Sequence, residues 1–229
     1  MTRSAGNNMA RGGMLSLARL LSGLVRIKIV ALSLGVPGVG IFSLLQQVSL
    51  AGIAIVSMGL AMPIINLGRP SIADGDMREA GAVAGTALAM VTVNTALLLA
   101  AAAIAGAMLF RQMGMATLDP LLVWPVALAI VIAAVSSSFW EGLSFLSDRF
   151  DIYVRVGIAA AVVDMIVTGA AAWAYGLRGA IIAMPTSAIA LTVAYAIFLS
   201  RDVTARRVLR HLSVNFGQLP RLLAYSAMM

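Results

Sequence analysis

Cysteine is absent from the 229 residues, histidine occurs once, and charged residues make up only 11%. Without cysteine there is no disulfide framework and no thiolate metal site. The single histidine, His211, sits in a basic cluster, so no histidine-based metal site can be built. Ordinary soluble domains carry about 25% charged residues. This chain is 61% apolar, with a mean hydropathy of +0.99, which excludes that class and points to a polytopic membrane protein. No nucleophile paired with a base, no phosphate-binding glycine loop and no ATP site is recognisable. Catalysis is therefore not expected, and an energy source other than ATP hydrolysis by this chain is implied. The net charge of +7 raises nucleic acid as a partner, but the placement of the charges explains it better.

The stretch 14–40, MLSLARLLSGLVRIKIVALSLGVPGVG, is long enough to cross a bilayer, for which about 20 apolar residues suffice. It nevertheless carries Arg19, Arg26 and Lys28. Each such charge near a bilayer centre costs roughly 2.5–3.5 kcal/mol on insertion scales, so a mere anchor would not carry three. Arg19 and Arg26 are seven residues apart and share one helix face. Ser16, Ser22 and Ser33 extend that face. Lys28 lies about 160° around from it. The preceding residues 1–13 form a short polar lead, read as a retained cytoplasmic segment and not as a cleaved signal, because no clear cleavage site follows.

Six apolar spans are expected at about 14–34, 39–65, 82–110, 121–143, 155–175 and 179–199. Tight turns are expected at Gly35-Val36-Pro37-Gly38 and at Tyr175-Gly176-Leu177-Arg178-Gly179. Pro63 should kink or end the second span. Residues 66–81 read as a polar loop, with Asp76 and Glu79 spaced like a capping box at the start of the third span. That span is rich in small residues, which allow close helix approach in a membrane. Residues 111–119 read as a short loop and 148–155 as a charged connection. Residues 200–229 form a basic linker followed by an apolar run too short to span, which reads like the start of a seventh helix.

With the N-terminus in the cytoplasm, that side holds Arg3, Arg11, Arg69, Arg78, Arg149, Arg155, Arg201, Arg206, Arg207, Arg210 and Arg221. The outer side holds Arg111 and Arg178. This bias follows the positive-inside rule and supports six spans with both termini cytoplasmic. The basic segment 201–210 would set topology and touch anionic membrane lipid. No nucleic-acid partner is expected.

Several polar residues carry two readings each. Arg26 is either the partner of an acid such as Asp164 or a cavity cation that binds phosphate oxygens in pairs. Arg19 either lines a cavity or snorkels to the headgroups. Lys28 reaches the outer surface or a different cavity wall. Asp164 is a proton or sodium site, or the counter-ion of Arg26. Glu141 lies nearer the cytoplasmic end, with an ion-coupling role set against a solvated one. Gln46, Gln47 and Asn94 bond sugar hydroxyls or tie helices together. The serine run 136–138 reads as packing.

The run Arg26-x-Lys28-x-x-Ala31-x-x-Leu34-Gly35-x-Pro37-Gly38-Val39-Gly40, continuing to Gln46-Gln47, resembles the first two helices of O-antigen and other polysaccharide flippases. These belong to the multidrug/oligosaccharidyl-lipid/polysaccharide (MOP) exporter superfamily. Val36 is an insertion relative to the family's turn. The resemblance implies an all-α integral membrane protein of the bacterial inner membrane, forming one six-helix lobe of a transporter. It implies an undecaprenyl-pyrophosphate-linked oligosaccharide as substrate, bound by Arg19, Arg26, Lys28, Gln46, Gln47 and Asn94. Transport would need no cofactor, and a proton or sodium gradient acting through Asp164 and Glu141 could drive it. The partners implied are a C-terminal lobe or a second copy, and polysaccharide assembly machinery. A cation-coupled multidrug antiporter and a non-transporting scaffold are the alternatives; three buried cations against one deep acid argue against the antiporter.

Overall fold

In hydrocarbon every backbone N–H and C=O must be satisfied within its own segment, so an apolar chain of this kind folds as helices. A computed structural model describes residues 2–112 and 119–227, and among these there is no strand. The elements are α1 (Thr2–Ser57), α2 (Ala61–Ala73), α3 (Met77–Gln112), α4 (Val123–Val135), α5 (Glu141–Leu146), α6 (Phe150–Ser200), α7 (Val203–Arg210) and α8 (Leu219–Ala227). A 3-10 turn (Pro120–Leu122) leads into α4, a π-helical turn (Ser136–Trp140) joins α4 to α5, and a second 3-10 turn (Phe216–Gln218) precedes α8. Four stretches are long and apolar enough to cross a membrane: Ala10–Ala73, Met77–Gly106, Pro120–Leu146 and Phe150–Ser200. Together with the composition they make this a multi-pass membrane protein.

The two longest helices are each broken at one glycine. Gly35 has φ 65° and ψ −179°, and Gly176 has φ 62° and ψ −147°. Both sit where a Cβ is unfavourable. The expected turns of four and five residues therefore shrink to single residues, with helix resuming at once. Pro37 fits because its missing N–H falls in the first turn of the new arm. Each helix doubles back on itself. Val30 and Phe42, on opposite arms of α1, share a small buried cluster with Ala172 and Ala180, on opposite arms of α6. The two hairpin tips thus pack together.

Other boundaries shift for local reasons. The second span does not end at Pro63. The chain breaks earlier, at Met58 (φ 47°) and Gly59 (φ 63°), and Pro63 takes a tolerated place in the first turn of α2. α2 and α3 together absorb most of the expected 66–81 loop, leaving only Asp74, Gly75 and Asp76 between helices. Asp76 caps α3 as expected, accepting from the backbone N–H groups of Arg78 and Glu79 at 3.0 Å each. The Glu79 side chain instead accepts from Ser71 Oγ at 3.1 Å. The charged connection shortens to residues 147–149, since α6 begins at Phe150. The expected polar lead is helical from Thr2. Of the expected 111–119 loop, residues 113–118 lie outside the described residues, and α3 carries Arg111 and Gln112.

The main core joins α1's second arm, α3, α4 and α6 through Leu45, Val56, Val83, Val91, Ile130, Ile181 and Tyr195, all buried. The small residues of α3 act in an unexpected way. A Cβ on Gly81 would lie 2.4 Å from the carbonyl oxygen of His211, and one on Gly85 would lie 2.4 Å from that of Ser213. Thr86 Oγ1 accepts from Asn215 N–H at 3.0 Å. The glycine face thus seats the non-helical strap between α7 and the second 3-10 turn, where a neighbouring helix was expected.

Candidate functional site

A cavity of about 500 Å³ opens between both arms of α1, the α4–α5 segment and both arms of α6. The first arm of α1 gives it Arg19, Ser22, Gly23 and Arg26. These residues form one face, as their spacing predicts. Leu17, Leu20, Leu21 and Leu24 on the other faces are exposed, as suits lipid. The second arm adds Phe42, Gln46 and Ser49, and α6 adds Asp164, Thr168, Met184 and Ser187.

Arg26 is the centre of a polar network. Its Nη1 donates to Asp164 Oδ2 as an ion pair. The Gln46 amide, its oxygen turned toward the guanidinium, accepts from Nη1 at 3.1 Å and Nη2 at 2.7 Å. Thr168 Oγ1 donates to Asp164 Oδ1 at 3.2 Å. The pair is mostly buried, with side-chain exposures of 19% for Arg26 and 27% for Asp164. Arg26 Nε is buried with no partner among the described residues. The counter-ion reading of Arg26 and Asp164 is therefore correct as geometry, while one donor of the guanidinium stays uncommitted.

Arg19 lies over the Tyr153 ring, with Cζ 5.8 Å from its centroid, and faces the same cavity. Glu141 also lines it. It follows a π-helical turn, in which its N–H reaches back to Ser136 O, five residues away. Ser137 and Glu141, one turn apart, then face the same space. Among the described residues, the Glu141 carboxylate makes no ion pair within 4.0 Å.

Three expected residues lie elsewhere. Lys28 is exposed and outside the lining, because it points away from the Arg19–Arg26 face. Gln47 is exposed, one position past Gln46 and so turned about 100° from it. Asn94 Nδ2 donates to Val56 O at 3.1 Å, tying α3 to α1. The cavity is accordingly not net cationic. Arg19 and Arg26 are balanced by Glu141 and Asp164, so the expectation of three cations against one acid is corrected. In the serine run, Ser136 bonds Thr192 and Ser138 donates to Ser57 O, both as packing contacts; Ser137 faces the cavity. Thr168 and Ser187 carried no signal in the sequence beyond lying inside apolar spans. Among the described residues no group of three acidic, histidine or cysteine side chains could hold a metal.

No protein-family model matches the chain, and no curated protein sequence does. Among solved structures, the chain is similar to a multidrug resistance MATE family transporter of the MOP superfamily, in an inward-facing conformation. The TM-score is 0.57 at 19% identity, over 91% of this chain and 49% of that one. At this identity the likeness is one of fold. The chain spans about half the length of that transporter. The fold defines the class only as a helical membrane protein similar to about half of that transporter.

Proposed function

We propose that the chain forms one lobe of an alternating-access transporter in the bacterial inner membrane, and that it moves a lipid-linked oligosaccharide. In this reading residues 14–199 make six spans, the arms of α1 and α6 counting separately, with both termini cytoplasmic. A C-terminal lobe or a second copy completes the cavity. The observation that carries the reading is the polar cavity of about 500 Å³ containing Arg19 and Arg26, in a chain that is 61% apolar. The fold likeness and the flippase-like turn at Gly35 support it.

Arg19 and the free Nε of Arg26 would take the phosphate oxygens, since guanidinium groups suit them geometrically. Gln46, Ser22 and Ser137 would meet sugar hydroxyls. The lipid tail would stay in the bilayer while the lobes rock. The two carboxylates, Asp164 and Glu141, would couple the movement to protons or sodium. A second reading, cation-coupled drug export, is favoured by the unpaired carboxylate of Glu141, which suits an organic cation.

The test uses the native gene product in its own cells. Arg19→Ala and Arg26→Ala should each abolish surface polysaccharide at near-normal protein levels. Unchanged polysaccharide at normal protein levels would overturn the substrate assignment. Increased drug sensitivity in Glu141→Gln, with polysaccharide intact, would establish the second reading.

A further inference from the structure

Because α6 turns back at Gly176, its last residues lie beside its first. A second pocket of about 310 Å³ forms there, lined by Arg149, Asp151, Ile152, Arg155, Val156, Phe198 and Arg201. It shares no lining residue with the central cavity. Arg149 is already committed, its Nε donating to Asp202 Oδ2 at 2.8 Å. Arg155 and Arg201 have no carboxylate within 4.0 Å among the described residues. With Asp151 opposing them, the pocket keeps a net positive charge.

Charged and apolar side chains line the pocket together. Arg155 lies five residues past the start of α6, about 7.5 Å along the helix. A guanidinium at that depth reaches the headgroup layer without leaving the hydrocarbon edge. Ile152 and Val156, both buried, and Phe198, 44% exposed, line the same pocket beside it. Two free guanidinium groups beside an exposed aromatic ring at the membrane edge fit a phosphodiester carried on an acyl stem. We propose that this pocket binds one anionic, glycerol-headed phospholipid. Its phosphodiester accepts from Arg155 and Arg201, a headgroup hydroxyl donates to Asp151, and an acyl chain lies over Phe198. The net positive charge favours an anionic lipid over a zwitterionic one, and the apolar side chains favour a lipid over a free phosphate. The lipid would clamp the two ends of α6, whose arms carry Asp164 and Ser187 into the central cavity. The proposal rests on the membrane location and not on the transported substrate.

The experiment is a native mass-spectrometric titration of the delipidated, detergent-solubilised protein with phosphatidylglycerol, phosphatidylethanolamine and glycerol 3-phosphate. One phosphatidylglycerol per chain should be retained, and the Arg155→Gln/Arg201→Gln variant should hold it on the order of tenfold to thirtyfold more weakly. Equal retention by the variant would overturn the site. Equal binding of phosphatidylethanolamine would overturn the charge argument, and equal binding of glycerol 3-phosphate would overturn the lipid. If the variant does not fold, the three-ligand comparison on the unaltered protein decides alone.

Discussion

At the scale of single residues, Arg26 and Asp164 are 138 positions apart and meet only because two broken helices fold their arms together. Each could be recognised in the sequence as a charge too costly to leave unpaired in a span. Their pairing was one of two readings and could not be decided there, because it depends on where Gly35 and Gly176 send the chain. The same holds for Lys28 against Arg26: helical angle alone separates them, and the structure keeps them apart. Glu141 shares the cavity face with Ala129, Ala133 and Ser137 at spacings of four, whereas nothing in Ser-Ser-Ser-Phe-Trp announces the π-helical turn before it. The pair yields a prediction. Asp164→Ala leaves Arg26 without its counter-charge and should lower stability by up to roughly 3 kcal/mol, read as a lower melting temperature in detergent. The exchange Arg26→Asp with Asp164→Arg should recover most of that loss. It should not recover transport, because the guanidinium would then stand on α6 and away from Arg19. Full recovery of transport would reduce Arg26 to a structural partner.

At the scale of elements, the helical character of the chain was legible throughout, because apolar runs of this length have no other stable form in lipid. The breaks were legible in place but not in kind. Gly35 and Gly176 were read as parts of turns, whereas each alone reverses a helix. Placing a Cβ at either, where φ of 65° or 62° with ψ of −179° or −147° is open essentially to glycine alone, should cost on the order of 1–3 kcal/mol, so Gly35→Ala and Gly176→Ala should each lower the melting temperature. An unchanged value would show that the hairpins do not depend on left-handed backbone there. The α3 glycines make a different case. Their spacing suggested helix packing, but Gly81 and Gly85 receive the strap through His211 and Ser213. Gly85→Val should push the strap off and expose the peptide bond after Arg210 to trypsin. Faster cleavage at Arg210, with the rest of the chain as resistant as before, is the expected result. Unchanged cleavage would mean that the strap is held by Thr86 and Asn215 alone.

At the scale of the whole molecule, the fold and the distribution of charge make one argument. The hairpin tips at Gly35 and Gly176 pack together, with Ala172 and Ala180 buried between Val30 and Phe42. The basic ends, at Arg149, Arg155, Arg201 and Arg206, gather elsewhere; there Arg206 donates to the last carbonyl of α6, Ser200 O, at 2.9 and 3.0 Å. If the arms cross the membrane as separate spans, the tips and the basic ends must lie on opposite faces. The lack of cysteine in this chain makes the test clean, since any introduced thiol is the only one it carries. Cysteines placed at Val36 and Tyr175, both exposed, should react with an impermeant maleimide from outside intact cells. Cysteines at Ser213 and Asp74, also exposed, should react only after the membrane is opened. A cysteine at Ser137, inside the cavity, should follow the second group while the lobe is open inward. It should change sides when transport drives the lobe outward. Tips and basic ends labelled from the same side would refute the six-span arrangement. A Ser137 thiol that never changes sides would leave the spans in place but remove alternating access as their mode of action.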